Sequence, residues 1–169
     1  MRSRMAVLSL CFFVSSCASA YPSTLCEIGE SLFECQTGIG RVALCGVLSG
    51  GNKDINLQFR FQAADDKKVV YPEASKLSAG KFYSSETSYS GGGEERIRFV
   101  YDNTTYIIYD KFVQSEDKSG VREPLMEAGL LKVEGNKVVS NEKCFNGTET
   151  IGKRAIGAAQ DEDFNYDLP

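Results

Sequence analysis

Residues Ile55–Phe61 (INLQFRF) alternate apolar and polar positions without a break. That period of two predicts a strand with Ile55, Leu57, Phe59 and Phe61 inward and Asn56, Gln58 and Arg60 outward. The same signature recurs along the chain. Glu30–Thr37 alternates, with Leu32 and Glu34 on one face and Phe33 and Cys35 on the other. Arg41–Leu48 (RVALCGVL) is more continuously apolar, as a central strand would be, and Gly38-Ile39-Gly40 turns the chain between the two. Lys68–Tyr71 is short and stopped by Pro72. Arg96–Tyr101 and Thr105–Phe112 read as a tight hairpin turning at Asp102-Asn103, two residue types that tolerate left-handed backbone. Leu125–Val133 and Lys137–Ser140 form a second hairpin around Gly135-Asn136, and Asn141–Phe145 leads on from it.

No window sustains a helical apolar period, although Ile151–Gln160 is compatible with one short helix. About eight or nine short strands, mostly in local hairpins, predict an all-β domain: an antiparallel up-and-down barrel or a two-sheet sandwich. Asp161–Pro169 carries four acids and reads as a frayed tail. The least strand-like stretch is Leu77–Glu95. It holds a brief strand at Phe82-Tyr83 and then a long polar loop, Ser84–Glu95, with three consecutive glycines.

The first twenty residues follow a different logic. Arg2 and Arg4 precede the ten-residue apolar run Met5–Val14, and Ala18-Ser19-Ala20 has the small-x-small form that a signal peptidase cuts. The run is too short to span a bilayer, and no later stretch approaches the required length. Val14-Ser15-Ser16-Cys17 also resembles a bacterial lipobox, in which Cys17 would carry lipid. Either processing route places the product outside the cytoplasm, in the periplasm, with outer-membrane anchoring through Cys17 on the second route. The expected organisation is a signal peptide over 1–20, an all-β domain over 21–148 and a C-terminal segment with an acidic tail over 149–169.

Export changes the reading of the cysteines. Cys11 and Cys17 lie in the leader, which leaves Cys26, Cys35, Cys45 and Cys144. Four cysteines in an oxidising compartment, at spacings that match no zinc pattern, predict two disulfides in one of three pairings. Removing residues 1–20 takes two arginines and no acids, leaving 17 basic against 23 acidic side chains and a charge near −6. Nucleic acid is excluded as a partner, because its recognition needs a basic footprint. A basic protein is the natural partner of such a surface.

The chain contains no histidine, which excludes Ser-His-Asp and Cys-His catalysis as well as histidine-ligated metal. No nucleophile elbow, phosphate loop or twelve-residue calcium loop is present. The vicinal acids Glu94-Glu95 point to opposite faces if extended, so they read as solvated charges rather than a catalytic pair. The expectation is a non-enzyme without cofactor or metal. Binding is then assigned to the polar stretch, whose Ser, Tyr and Gly content suits adaptable recognition. Lys81 and Tyr83 are the anchors, and Ser84, Ser85, Ser88 and Tyr89 are the groups that would enter a partner's cleft.

Ser78-Ala79-Gly80-Lys81-Phe82-Tyr83 resembles the Ser/Gly…Tyr loop motif of periplasmic bacterial lysozyme inhibitors, with one extra residue before the tyrosine. The resemblance implies that Ser78, Gly80, Lys81 and Tyr83 belong to a loop inserted into a hydrolase cleft. Phe33-Glu34-Cys35, Val42-Ala43-Leu44-Cys45, Leu57–Phe61, Ile97-Arg98-Phe99 and Ala128-Gly129, followed by Cys144, resemble small exported proteins of Gram-negative bacteria. Proteins of that size and compartment include immunity proteins of type VI secretion systems. The implied function is a periplasmic inhibitor that blocks a basic cell-wall hydrolase or another secreted effector. The alternative is a small-ligand or glycan-binding envelope lipoprotein.

Overall fold

The computed structural model describes residues 24–48, 54–79, 81–116, 120, 122–147 and 149–168. Residues 1–20, the expected signal peptide with Cys17, and Gly80 lie outside them, as does the side chain of Ser78. Two sheets account for most of the chain. The first is an antiparallel meander of β1 (Glu30–Thr37), β2 (Gly40–Leu48), β3 (Ile55–Ala63) and β4 (Lys68–Tyr71), in that order. A 3-10 stretch, Ala74–Ala79, leads to the second sheet. That sheet comprises β5 (Phe82–Tyr89), β6 (Gly92–Tyr101), β7 (Thr104–Glu116), β8 (Arg122–Glu134) and β9 (Lys137–Lys143). After the short helix α1 (Lys153–Ala158), β10 (Gln160–Asp161) adds to the edge of β5 in parallel, giving the order β10-β5-β6-β7-β8-β9.

The architecture is the sandwich rather than a closed barrel, since the two sheets stay separate, and the alternation that predicted the strands supplies the faces that pack between them. In β3, Leu57 and Phe59 face a core that also takes Leu44 from β2 and Ile97, Phe99, Ile108 and Leu130 from the second sheet. Phe99 is the hub of this core. Its ring lies 4.7 Å from Phe59, 5.2 Å from Phe82, 5.3 Å from Tyr106 and 5.5 Å from Tyr71. Offset and tilted rings at these separations add to the apolar burial itself. The β6–β7 turn is where the sequence placed it, with Asp102 and Asn103 both at positive φ.

One strand departs from simple alternation. Leu32 and Phe33 are neighbours, yet both enter the core, because β1 bulges between Ser31 and Phe33. On the far side of the first sheet, Gln58 is outward as expected but buried. Its amide donates to the Pro72 carbonyl at 2.9 Å, and Arg60 beside it donates to the Leu25 carbonyl at 2.8 Å. The disulfide Cys26–Cys45 pins the segment before β1 onto β2. The second disulfide, Cys35–Cys144, joins β1 to the residue following β9 and so ties one sheet to the other.

Two expectations are corrected. Ser84–Glu95 is not a loop: it forms most of β5 and the start of β6, turning only at Ser90-Gly91, where Gly91 takes φ +87°. Strand geometry wins over its polar composition because each residue has a cross-strand partner, from Phe82 opposite Phe99 to Tyr89 opposite Gly92. The acidic tail is not frayed either. From Asp161 it crosses the outer face of the second sheet as a strap. Glu162 takes a bidentate ion pair from Arg98, and the Arg96 guanidinium donates to the carbonyls of Asn165 and Leu168 while lying 4.2 Å over the Phe164 ring. Leu168 then packs on Ile107, Tyr109, Leu131 and Val133, a small second core on that face. Within the same C-terminal segment, Ile151 and Ala155 enter the main core.

Candidate functional site

The residues expected to contact a partner are distributed over both ends and both faces of β5. Lys81 is exposed just ahead of the strand, and Tyr83 is half-buried with its ring 4.4 Å beneath the Arg98 guanidinium. Ser84 is only 3% exposed: its carbonyl accepts the Glu162 amide at 2.9 Å, and its backbone is in register with Asp161. Ser85 is likewise buried, paired across the sheet with Arg96. Both serines are interior, sealed by the strap and α1, and neither can reach a partner's cleft from there. Ser88 and Tyr89 are exposed at the hairpin tip, roughly 20 Å along the strand from Lys81. The structure therefore brings Ser88 and Tyr89 together and separates them from Lys81 and Tyr83.

At the tip the second sheet runs on past its cover. Strands β7 and β8, each of thirteen residues, extend beyond the main core. Phe112 and Met126 face each other across them on the core-facing side, yet they are 39% and 40% exposed. Opposite Phe112 on β6 stands Gly93, which adds no side chain to that face. Deeper along the same face come Glu86, Glu95 and Asp110. The segment after β9 closes one side with Gly147, Glu149 and Thr150. Together they line a pocket of about 290 Å3 with an apolar floor and a carboxylate wall.

The electrostatics follow from burial. Asp110 accepts the Ile151 amide at 2.6 Å. Burial raises its carboxyl above the ordinary value, against the pull of that amide, and Glu95 adds repulsion. Glu95 is ion-paired with Lys153, a cation that Glu86 and Asp110 also feel. Glu149 contributes a buried Oε2 with no hydrogen-bond partner among the described residues. On the opposite face, Glu94 and Arg96 form a buried ion pair at 2.5 Å, and Lys111 stands 3.9 Å from the same carboxylate. Glu94 and Glu95 thus do lie on opposite faces, but each is paired rather than merely solvated.

Among the described residues no group of acids and cysteines has the convergence a metal ion requires, and no helix is long and apolar enough to cross a membrane. The sequence signal for this site was present in one place. Asp110 falls in step with the inward Tyr106 and Ile108, and a carboxylate on the core-facing side of an apolar strand is out of pattern. Glu149 gave no such signal, because it lies in an irregular segment brought to the pocket by tertiary folding. No family model matches the chain, and neither the curated proteins nor the solved structures compared with it yield a match.

Proposed function

We propose that this protein is an exported, non-catalytic inhibitor of the immunity-protein kind, which binds a basic cell-wall-degrading enzyme and blocks its cleft with the β5–β6 hairpin tip. The observation that carries this reading is the tip itself. Ser88 and Tyr89 are both exposed there, Ser88 on the wall of a carboxylate-lined pocket and Tyr89 on the other face of the same hairpin, at the uncapped end of a sheet in an acidic chain. A hairpin held by backbone ladders reaches a cleft with little ordering cost, and opposite charge steers the encounter. Two disulfides and an apolar N-terminal run support an oxidising, extracytoplasmic setting. The glycan-binding alternative has less support, because aromatic side chains fill the space between the sheets.

The test is inhibition of a panel of purified basic peptidoglycan hydrolases, read as clearing of a cell-wall suspension. The expected result is stoichiometric inhibition of at least one enzyme. It should weaken about tenfold or more in the double variant Ser88→Glu, Tyr89→Ala, as removal of a central contact does. A full panel left uninhibited, or inhibition indifferent to the tip variant, overturns the reading.

A further inference from the structure

The pocket under the overhanging end carries more than a general preference for basic partners. Its floor is apolar, formed by Phe112 and Met126, and Gly93 leaves the space above Phe112 open. Two of its four core-facing carboxylates are engaged, Glu95 by Lys153 and Asp110 by the Ile151 amide. Glu86 is exposed and acts on Lys153 through space, and the Oε2 of Glu149 is buried without a hydrogen-bond partner among the described residues. A buried carboxylate oxygen without a partner is costly, and a cation held at the pocket wall beside it offsets that cost through space. At about 290 Å3 the pocket sits at the lower limit of small-molecule sites, the size of one long side chain.

We propose that this pocket receives a single arginine or lysine side chain from the protein partner, its aliphatic stem on Phe112 and Met126 and its cation on Glu149 and Glu86. The chemistry selects an amphipathic cation on three counts. A long basic side chain lays its methylenes on apolar surface while its head stays polar. An aromatic floor attracts a cation through its ring face. A free metal ion gains nothing from Phe112 and Met126, and the carboxylates do not converge as metal ligands do. The proposal rests on the inhibitor reading only for the source of the side chain: a protein engaging the hairpin tip at Ser88, which lines the pocket, presents its surface to the pocket mouth.

The experiment titrates the oxidised protein, recovered from the periplasm of an expression host, with N-acetyl-argininamide, N-acetyl-lysinamide and neutral N-acetyl-norleucinamide. Backbone amide shifts in two-dimensional NMR are the readout. The expected result is saturable shifts at Gly93, Phe112, Met126, Gly147 and Glu149 with a basic amide and none with norleucinamide. In Glu149→Gln, which keeps the shape, affinity should fall about fivefold. Shifts scattered over the surface, equal response to norleucinamide, or unchanged affinity in Glu149→Gln overturn the proposal. The two readings fail separately. Enzyme inhibition with a silent pocket leaves the inhibitor reading standing and removes this one. Pocket binding without any inhibited hydrolase does the reverse.

Discussion

Asp110 stands out of the apolar pattern of its strand, and its surroundings give that position its weight. It shares the inward face of β7 with Tyr106 and Ile108, and burial raises its carboxyl pKa above the ordinary value. The folded state therefore holds that proton more tightly than the unfolded chain does. Stability falls as pH climbs from the ordinary carboxylate value through the raised one, and the penalty is complete at neutrality. Replacing Asp110 with Asn keeps an acceptor for the Ile151 amide and removes the charge. The variant should melt above the wild-type protein at pH 7, with the difference vanishing at about pH 2.5, where both side chains are neutral in the folded and unfolded states. Thermal melts at the two pH values check this, and a variant less stable at pH 7 contradicts it. Other single residues were not legible in the same way. Gln58 and Ser85 are polar residues at sequence positions that promise exposure, and each is buried by a segment remote in the chain.

At the scale of elements, strands with a clean period of two were legible. The alternation of β3 and the Asp102-Asn103 turn between β6 and β7 follow from side-chain type and local backbone preference alone. The β5–β6 hairpin was not, because its Ser, Gly and Glu residues have weak strand propensity and adopt it through pairing with better formers. The strap is the extreme case. Nothing in DEDFNYDLP marks a structured segment, and its order comes from Arg96 and Arg98, two strand residues more than sixty positions upstream. Removing residues 160–169 takes the Asn165 and Leu168 carbonyls from the buried Arg96, leaving its pair with Glu94, and uncovers Ile107, Tyr109, Leu131 and Val133. Losing partners of a buried charge is among the costlier deletions, so the truncated protein should melt lower by about 5–15 °C. It should also bind more of a hydrophobic dye. An unchanged melting temperature would mean that the strap contributes nothing to stability.

For the whole molecule, the succession of short alternating runs and hairpin turns pointed to an all-β domain and left barrel and sandwich open. That choice depends on whether the edges of the two sheets meet, which is a long-range pairing with no trace in local pattern. The pairing of the cysteines is decided at the same scale, by which strands become neighbours. The two bridges should differ in weight. Cys26–Cys45 closes 19 residues and Cys35–Cys144 closes 109. By chain entropy alone these contribute about 3 and about 5 kcal/mol. Urea unfolding of the Cys26→Ser, Cys45→Ser and Cys35→Ser, Cys144→Ser double variants should show the larger loss in the second, and a larger loss in the first would contradict the entropic account.

The inter-sheet bridge has a mechanical consequence. Beside it, the segment that follows β9 is held to the first sheet by main-chain hydrogen bonds, the Phe145 amide donating to the Gln36 carbonyl and the Gly152 amide to the Leu32 carbonyl. A pull that separates the two layers is therefore borne by a sulfur–sulfur bond rather than by side-chain packing. Stretched between its layers in a force experiment, the oxidised molecule should yield by unzipping within a sheet, and only after reduction should the two halves part along the aromatic seam.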